Sequence, residues 1–348
     1  MQVKTISMVT AGALVLALAA NSASTNNGPA ETAVAKGARW IASVQGRDGG
    51  WGQDGGETSY VRQNEHLETN GNDVANTAVA ALALRQAGNQ YQGNVERALD
   101  FILRSVENSP ADGLTITNRG GTQIQRKLGP YIDTFLTSRL LSEVDGTLPT
   151  AAQNARVRKA LEKCVAKIES NQQRDGSWNA GGGWAPILGT SMASRSLYDA
   201  QRKGVKVEER AMDAAANYTK EAAKAPAGAA AGSAGVALYQ GAQALEQLSR
   251  TEKDRAANAP QIAAIRSQLR DEKFVNGFGS VGGEEFFSYL NVSDGLRRTG
   301  GEEWNKWRTD ITARLLKLQN EDGTWAGSHC ITGRVAVTSA AILNLTVR

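Results

Sequence analysis

Apolar side chains recur three and four positions apart through most of this 348-residue chain, the spacing that places them on one face of an α-helix. No convincing alternating run marks a β-strand. The pattern predicts six helical hairpins. They pair Glu31 to Val44 with Asp73 to Gly88, Val95 to Val106 with Tyr131 to Val144, and Val157 to Asn171 with Gly189 to Gly204. Glu208 to Lys224 then pairs with Ala234 to Arg250, Pro260 to Glu272 with Glu284 to Gly300, and Glu303 to Gln319 with Ile331 to Val347.

The two helices of each hairpin differ in character. First helices carry charge along one face and should lie outside, whereas second helices are rich in Ala, Ser, Thr, Leu and Val, as expected of helices buried between neighbours. Gly88, Gly204 and Gly300 each stand where a second helix needs a C-cap glycine. A period of about 45 to 50 residues identifies a repeat architecture, but open solenoids share it, so ring closure does not follow from periodicity.

Three turns repeat one another: QGRDGGW (Gln45, Gly49, Trp51), QQRDGSW (Gln172, Gly176, Trp178) and QNEDGTW (Gln319, Gly323, Trp325). Each ends a first helix. The Gln can bond backbone groups exposed at the helix end. Asp-Gly suits a tight turn because Asp bonds its own backbone and Gly tolerates positive φ. The Trp then covers a seam between outer helices. These nine residues read as structural staples.

KGARWIASVQGRDGGW (Lys36 to Trp51) resembles the QW repeat of squalene and hopene cyclases, and SNQQRDGSW and KLQNEDGTW fit the same spacing. That repeat family extends to protein prenyltransferase β subunits and, more distantly, to thioester domains. The resemblance implies an all-α fold: an alpha-alpha toroid of six hairpins, with an inner and an outer ring of helices spanning residues 24–348.

The first 23 residues read differently. Lys4 precedes a short apolar run, Ile6 to Ala20, and Ala20-Asn21-Ser22-Ala23 has the small residues of a cleavage site. Residues 1–23 are expected to be a signal peptide, so the chain is expected to be secreted or periplasmic. The run is too short for a spanning helix, which needs about 20 residues. The formal charge of +4 arises from 39 basic and 35 acidic residues interleaved along the chain, which is no nucleic-acid footprint. The repeat register sets Cys164 and Cys330 about half a ring apart, which favours two separate thiols over a disulfide.

The resemblance places a substrate cavity along the axis, at the starts of the inner helices. Asp73, Asp133, Thr190, Tyr239, Glu284, Glu285, His329, Cys330 and Arg334 are the candidates there. Asp73 also suits an N-cap, Glu284 and Glu285 suit a helix dipole, and Arg334 could pair with one of these acids across the ring. The chemistry of the family is largely missing. There is no Asp-x-Asp-Asp motif to protonate an alkene, and seven Trp, seven Tyr and six Phe are few for a cation-stabilising chamber. SHCITG (Ser328 to Gly333) opens the last inner helix, where a zinc prenyltransferase has its His ligand, but the Asp-x-Cys pair is absent. No thioester sequence occurs.

The expectation is a toroid that binds a ligand or partner (a small molecule, lipid, glycan or protein), with no metal, no cofactor, no nucleic acid and no transmembrane segment. The alternative is a terpenoid-cyclase-like or carbohydrate-active enzyme that uses Asp73, Asp133, Glu284 or Glu285 at the mouth.

Overall fold

A computed structural model describes residues 28–54, 61–62, 65–66, 71–178, 186–224, 234–276 and 282–347. The expected signal peptide and Met1 to Ala23 lie outside them. Unit one is α1 (Pro29–Ser43) with α2 (Val74–Ala87), and between them β1 (Val61–Arg62) and β2 (Glu65–His66) form a minimal antiparallel hairpin. Unit two is α3 (Gln92–Asn108), the short α4 (Gln123–Leu128) and α5 (Ile132–Val144). Unit three is α6 (Ala151–Ser170) with α7 (Pro186–Arg202), and unit four is α8 (Glu209–Lys224) with α9 (Ala234–Leu248). In unit five the outer element is broken into α10 (Glu252–Ala257), α11 (Ala259–Gln268) and α12 (Glu272–Val275), followed by α13 (Gly283–Thr299). Unit six is α14 (Gly301–Leu318) with α15 (Arg334–Thr346).

The second helices form a closed inner ring. α2 packs on α5, α5 on α7, α7 on α9, α9 on α13 and α13 on α15, and α15 returns to α2. Outside, α1 packs against α14, so the first unit seals against the last. The fold is an all-α toroid. Burial follows the predicted division: Val74 to Leu84 of α2 and Gly283 to Leu296 of α13 are buried on every side, whereas α3 buries only the stripe Val95, Ala98, Leu99, Ile102, Leu103 and Val106. Among the described residues no helix is long and apolar enough to cross a membrane.

The three turns hold the layers together in one geometry. Gln45, Gln172 and Gln319 each donate Nε2 to the carbonyl four residues on (Gly49, Gly176, Gly323) at 2.8–3.0 Å. The same amides reach the next outer helix, at Asn94, Ala211 and Ala33. Each indole donates Nε1 to the carbonyl ten residues back at 2.7 Å, while the Trp backbone N–H bonds a threonine of the inner layer, Thr77, Thr190 or Thr338. Trp51 and Trp325 are completely buried, and a buried Trp removes roughly 200 Å² from water, a gross gain on the order of 5 kcal/mol.

Gly49, Gly176 and Gly323 have φ of +93, +90 and +86°, and a Cβ at each would strike the neighbouring outer helix at Arg97, Ala214 or Lys36. Only glycine meets both demands.

Candidate functional site

The inner ring presents chemistry at two ends. At the end where the inner helices begin, Asp73 caps α2, accepting hydrogen bonds from the Asn76 backbone at 2.9 Å and the Asn76 side chain at 2.8 Å. Asp133, in the first turn of α5, is fully buried and accepts from Gln125 Nε2, while its Oδ1 has no partner among the described residues. The Ala75 N–H faces both carboxyls. Burial pushes Asp73 up to about 6, opposed by Asn76 and the Arg119 charge. Burial, and then the Asp73 charge, push Asp133 up to about 8. Asp73 and Asp133 are therefore a coupled pair, brought together as two facing carboxylates would need to be.

The end of the Asn108 to Gly129 connection covers that pair, because α4 packs on both α2 and α5 and carries Gln125. Thr122 and Gln125 form a capping box that starts α4, and Gln123 then bonds Thr332 and the Thr332 and Gly333 amides at 2.9–3.0 Å. The first part of the connection instead lines a groove of about 730 Å³ beside α3, outside the ring, with Phe101 and Tyr131 in its wall.

A second group gathers beside the first. Glu284 and Glu285 are buried in the first turn of α13, and His329 and Cys330 lie in the loop before α15, ahead of the helix start predicted at Ile331. Ligand atoms of Glu284, His329 and Cys330 lie within 4.8 Å of one another, so these three residues could hold a metal ion. Burial raises the Glu284 carboxyl, opposed by the hydrogen bond from the Cys330 thiol. Burial and then the Glu284 charge push that thiol up to about 12.

The other candidates are placed elsewhere. Arg334 pairs with Asp54 at 3.2 Å and Asp322 at 3.2 Å and lies 4.9 Å over the Trp40 ring, turned towards the outer layer. Those partners are acids of neighbouring turns, where the sequence suggested one of the mouth acids. Thr190 accepts the Trp178 N–H and so belongs to a staple. Tyr239 falls in α9, but its side chain lies outside the described residues. Cys164, buried, and Cys330, half-buried, are both free thiols.

At the opposite end of the inner helices lies a cluster that the sequence reading missed. Arg195 of α7 bonds Asp294 of α13 at 2.7 Å, Asp199 at 2.9 Å and Glu246 of α9 at 3.4 Å. Glu246 also holds Arg250 at 2.6 Å and Arg298 at 2.9 Å, and Arg139 of α5 approaches Asp294 at 3.6 Å. Burial would raise Glu246, but Arg250, Arg298 and Arg195 hold it well below the carboxylate range. The contacts from Arg139 and Arg195 to Asp294 join helices that are not ring neighbours, as does Asn291 Nδ2 to Ser191 Oγ at 3.1 Å. They cross the axis.

Beside this network is a cavity of about 400 Å³ lined by Arg139, Arg195, Asp294, Arg297, Leu290 and Leu343 among others. The signal for it was present in the sequence: Arg139, Arg195 and Asp294 are charges placed inside helices that the pattern expects to be buried.

The start of α2 also bears on the missing alkene acid. The segment reads Asp73-Val74-Ala75-Asn76, with one acid where an Asp-x-Asp-Asp run has three.

Residues 10–119 match the family described as squalene-hopene cyclase C-terminal domain. A squalene–hopene cyclase of Bradyrhizobium diazoefficiens is 36% identical over 70 residues. That stretch is 20% of this chain and 10% of the relative, so the likeness spans about a tenth of the bacterial protein's length.

Proposed function

The chain belongs to the terpenoid cyclase/protein prenyltransferase-like repeat family, and on that premise we propose that it is a binding toroid, holding a small organic anion in its axial cavity and not cyclising a polyene. One observation carries the reading: ion pairs and hydrogen bonds between non-neighbouring inner helices bridge the axis where a long isoprenoid would have to lie. The start of α2 supports it, since Ala75 and Asn76 cannot donate a strong acid's proton.

The ligand class follows from charge. In the buried network four guanidinium groups (Arg139, Arg195, Arg250 and Arg298) meet three carboxylates (Asp199, Glu246 and Asp294), and Arg139 Nε has no partner among the described residues. Arg297 and Glu143, which also line the cavity, offset each other. A buried cation without its counter-charge is costly, and a carboxylate or phosphate would neutralise it. Leu290, Leu343 and Val347 offer an apolar wall for a short tail. Export is part of the reading, supported by the composition of Met1 to Ala23.

The test uses protein recovered as the cell exports it, its mass reporting whether the leader has been cut. Calorimetry with hexanoate and with inorganic phosphate is expected to show one saturable site that Arg139→Gln abolishes and the surface change Arg156→Gln leaves alone. Binding that survives Arg139→Gln, no binding of either probe, or conversion of squalene to a cyclised product would each overturn the proposal. The last outcome would favour the second reading, acid chemistry at the mouth, whose support is the pair of raised carboxyls at Asp73 and Asp133.

A further inference from the structure

We infer that Glu284, His329 and Cys330 form a binding site for one zinc-class divalent ion at the end of the ring where the inner helices begin. A carboxylate oxygen, an imidazole nitrogen and a thiol sulfur come within 4.8 Å of one another there. That mixture of donors suits a borderline-soft ion such as Zn²⁺ and suits Mg²⁺ or Ca²⁺ poorly, because those ions take oxygen alone. The donor set is not an Asp-x-Cys pair with a distant histidine. Here the His and Cys are adjacent in sequence and the carboxylate comes from another unit.

The surrounding backbone is built to bring the three together. The loop before α15 presses on the start of α13 so closely that a Cβ on Gly283 would meet Ile331 Cβ at 2.5 Å, and one on Gly327 would meet the Gly283 nitrogen at 2.5 Å. A Cβ on Gly282 would lie 2.8 Å from His329 Nδ1 and 2.9 Å from Glu285 Oε2. Three glycines therefore hold open the approach of two chain segments. Cys330 takes φ of +61°, the one non-glycine residue with positive φ among the described residues.

An independent observation points to a cation. The Glu284 side chain is completely buried, its Oε2 reaches the Ile331 amide only at 3.4 Å, and its Oε1 has no hydrogen-bond partner among the described residues. A buried carboxylate oxygen without a donor is unfavourable, and a divalent ion would satisfy it. His329 and Cys330 are only half-buried, which gives the ion a path in. Three protein ligands leave the fourth tetrahedral position for water or a further ligand.

On binding, a metal–sulfur bond forms as the Cys330 thiol releases its proton to solvent. No electrons are transferred, so the ion is the one co-reactant. This site is separate from the axial anion cavity, and neither proposal depends on the other.

The test is titration of the metal-free full chain with ZnCl₂, by calorimetry in two buffers of different ionisation enthalpy, and with CoCl₂ by absorption. One ion per chain, one proton released and a thiolate-to-cobalt charge-transfer band are expected. Cys330→Ser should remove the band and the proton. It should also weaken zinc binding by more than the roughly 10–100-fold that loss of an outer-shell partner costs. Gly282→Ala should weaken binding by displacing His329 while keeping the thiol, and Cys164→Ser should change nothing. Absence of stoichiometric binding by the unaltered chain overturns the inference without reference to any variant. So does wild-type affinity in both Cys330→Ser and His329→Ala.

Discussion

Asp133 shows how far burial can move a single residue from its sequence role. A first-turn acid ordinarily stabilises its helix as an anion. Here burial, and then the Asp73 charge, push it up to about 8, so at neutral pH the carboxyl is mostly protonated. Its folded pKa lies above the usual value of 3.8, so the sign is the reverse of an ion-paired acid. The favourable protonated state is fully present below about 4, and its contribution to stability is lost as pH rises through about 8. Asp133→Asn keeps the shape and removes the titration. The variant is expected to be more stable than the parent at pH 9, by on the order of 2–5 kcal/mol, and to differ far less at pH 5. Urea unfolding at the two pH values reads this, and equal differences at both would contradict it. The N-cap role of Asp73 was legible, because an Asp directly before an Ala-rich run is a local signal. Its coupling to Asp133 was not, because that depends on two inner helices meeting in space.

Elements whose cause is local were the readable ones. The Gln–Gly–Trp turns declared themselves by repetition, and the inner helices by their poverty of charge. α6 starts at Ala151, six residues before the predicted Val157, although Thr150 and Gln153 form a capping box that the sequence displayed. The short α4 and the broken α10 to α12 are another matter. Helices of four to ten residues are not stable alone and show too little periodicity to recognise, so tertiary packing sets them. The turn glycines allow the local and the packing contributions to be separated. Gly204 has φ of +75° with nothing within 4 Å of a Cβ, whereas Gly176 has φ of +90° with the Ala214 carbonyl in the way. Gly204→Ala should therefore cost about 1 kcal/mol, for strained backbone alone. Gly176→Ala should cost about 2–4 kcal/mol, since the outer helices must also move apart. Equal losses in thermal unfolding would mean that the close approach is not what fixes glycine there.

Closure belongs to the whole molecule, and no local signal in the sequence could supply it. The same hairpins, caps and turns would build an open solenoid, whose end units pack on one side only. What makes a ring is that the last unit treats the first as its next neighbour. Gln319 bonds Ala33 as Gln172 bonds Ala211, and the Trp325 ring reaches Gly37 of α1, so that a Cβ there would lie 2.9 Å from it. The seam between units six and one is thus the same joint as the seam between units three and four. If the ring is closed in solution, Gln172→Ala and Gln319→Ala remove equivalent bonds and leave equivalent carbonyls unpaired. Each should cost about 1–3 kcal/mol, and both should melt the whole chain in one transition. An open chain behaves differently, because Gln319 would then face solvent at a free end. In that case Gln319→Ala would be silent while Gln172→Ala destabilised, and the inequality would show that the terminal units do not meet.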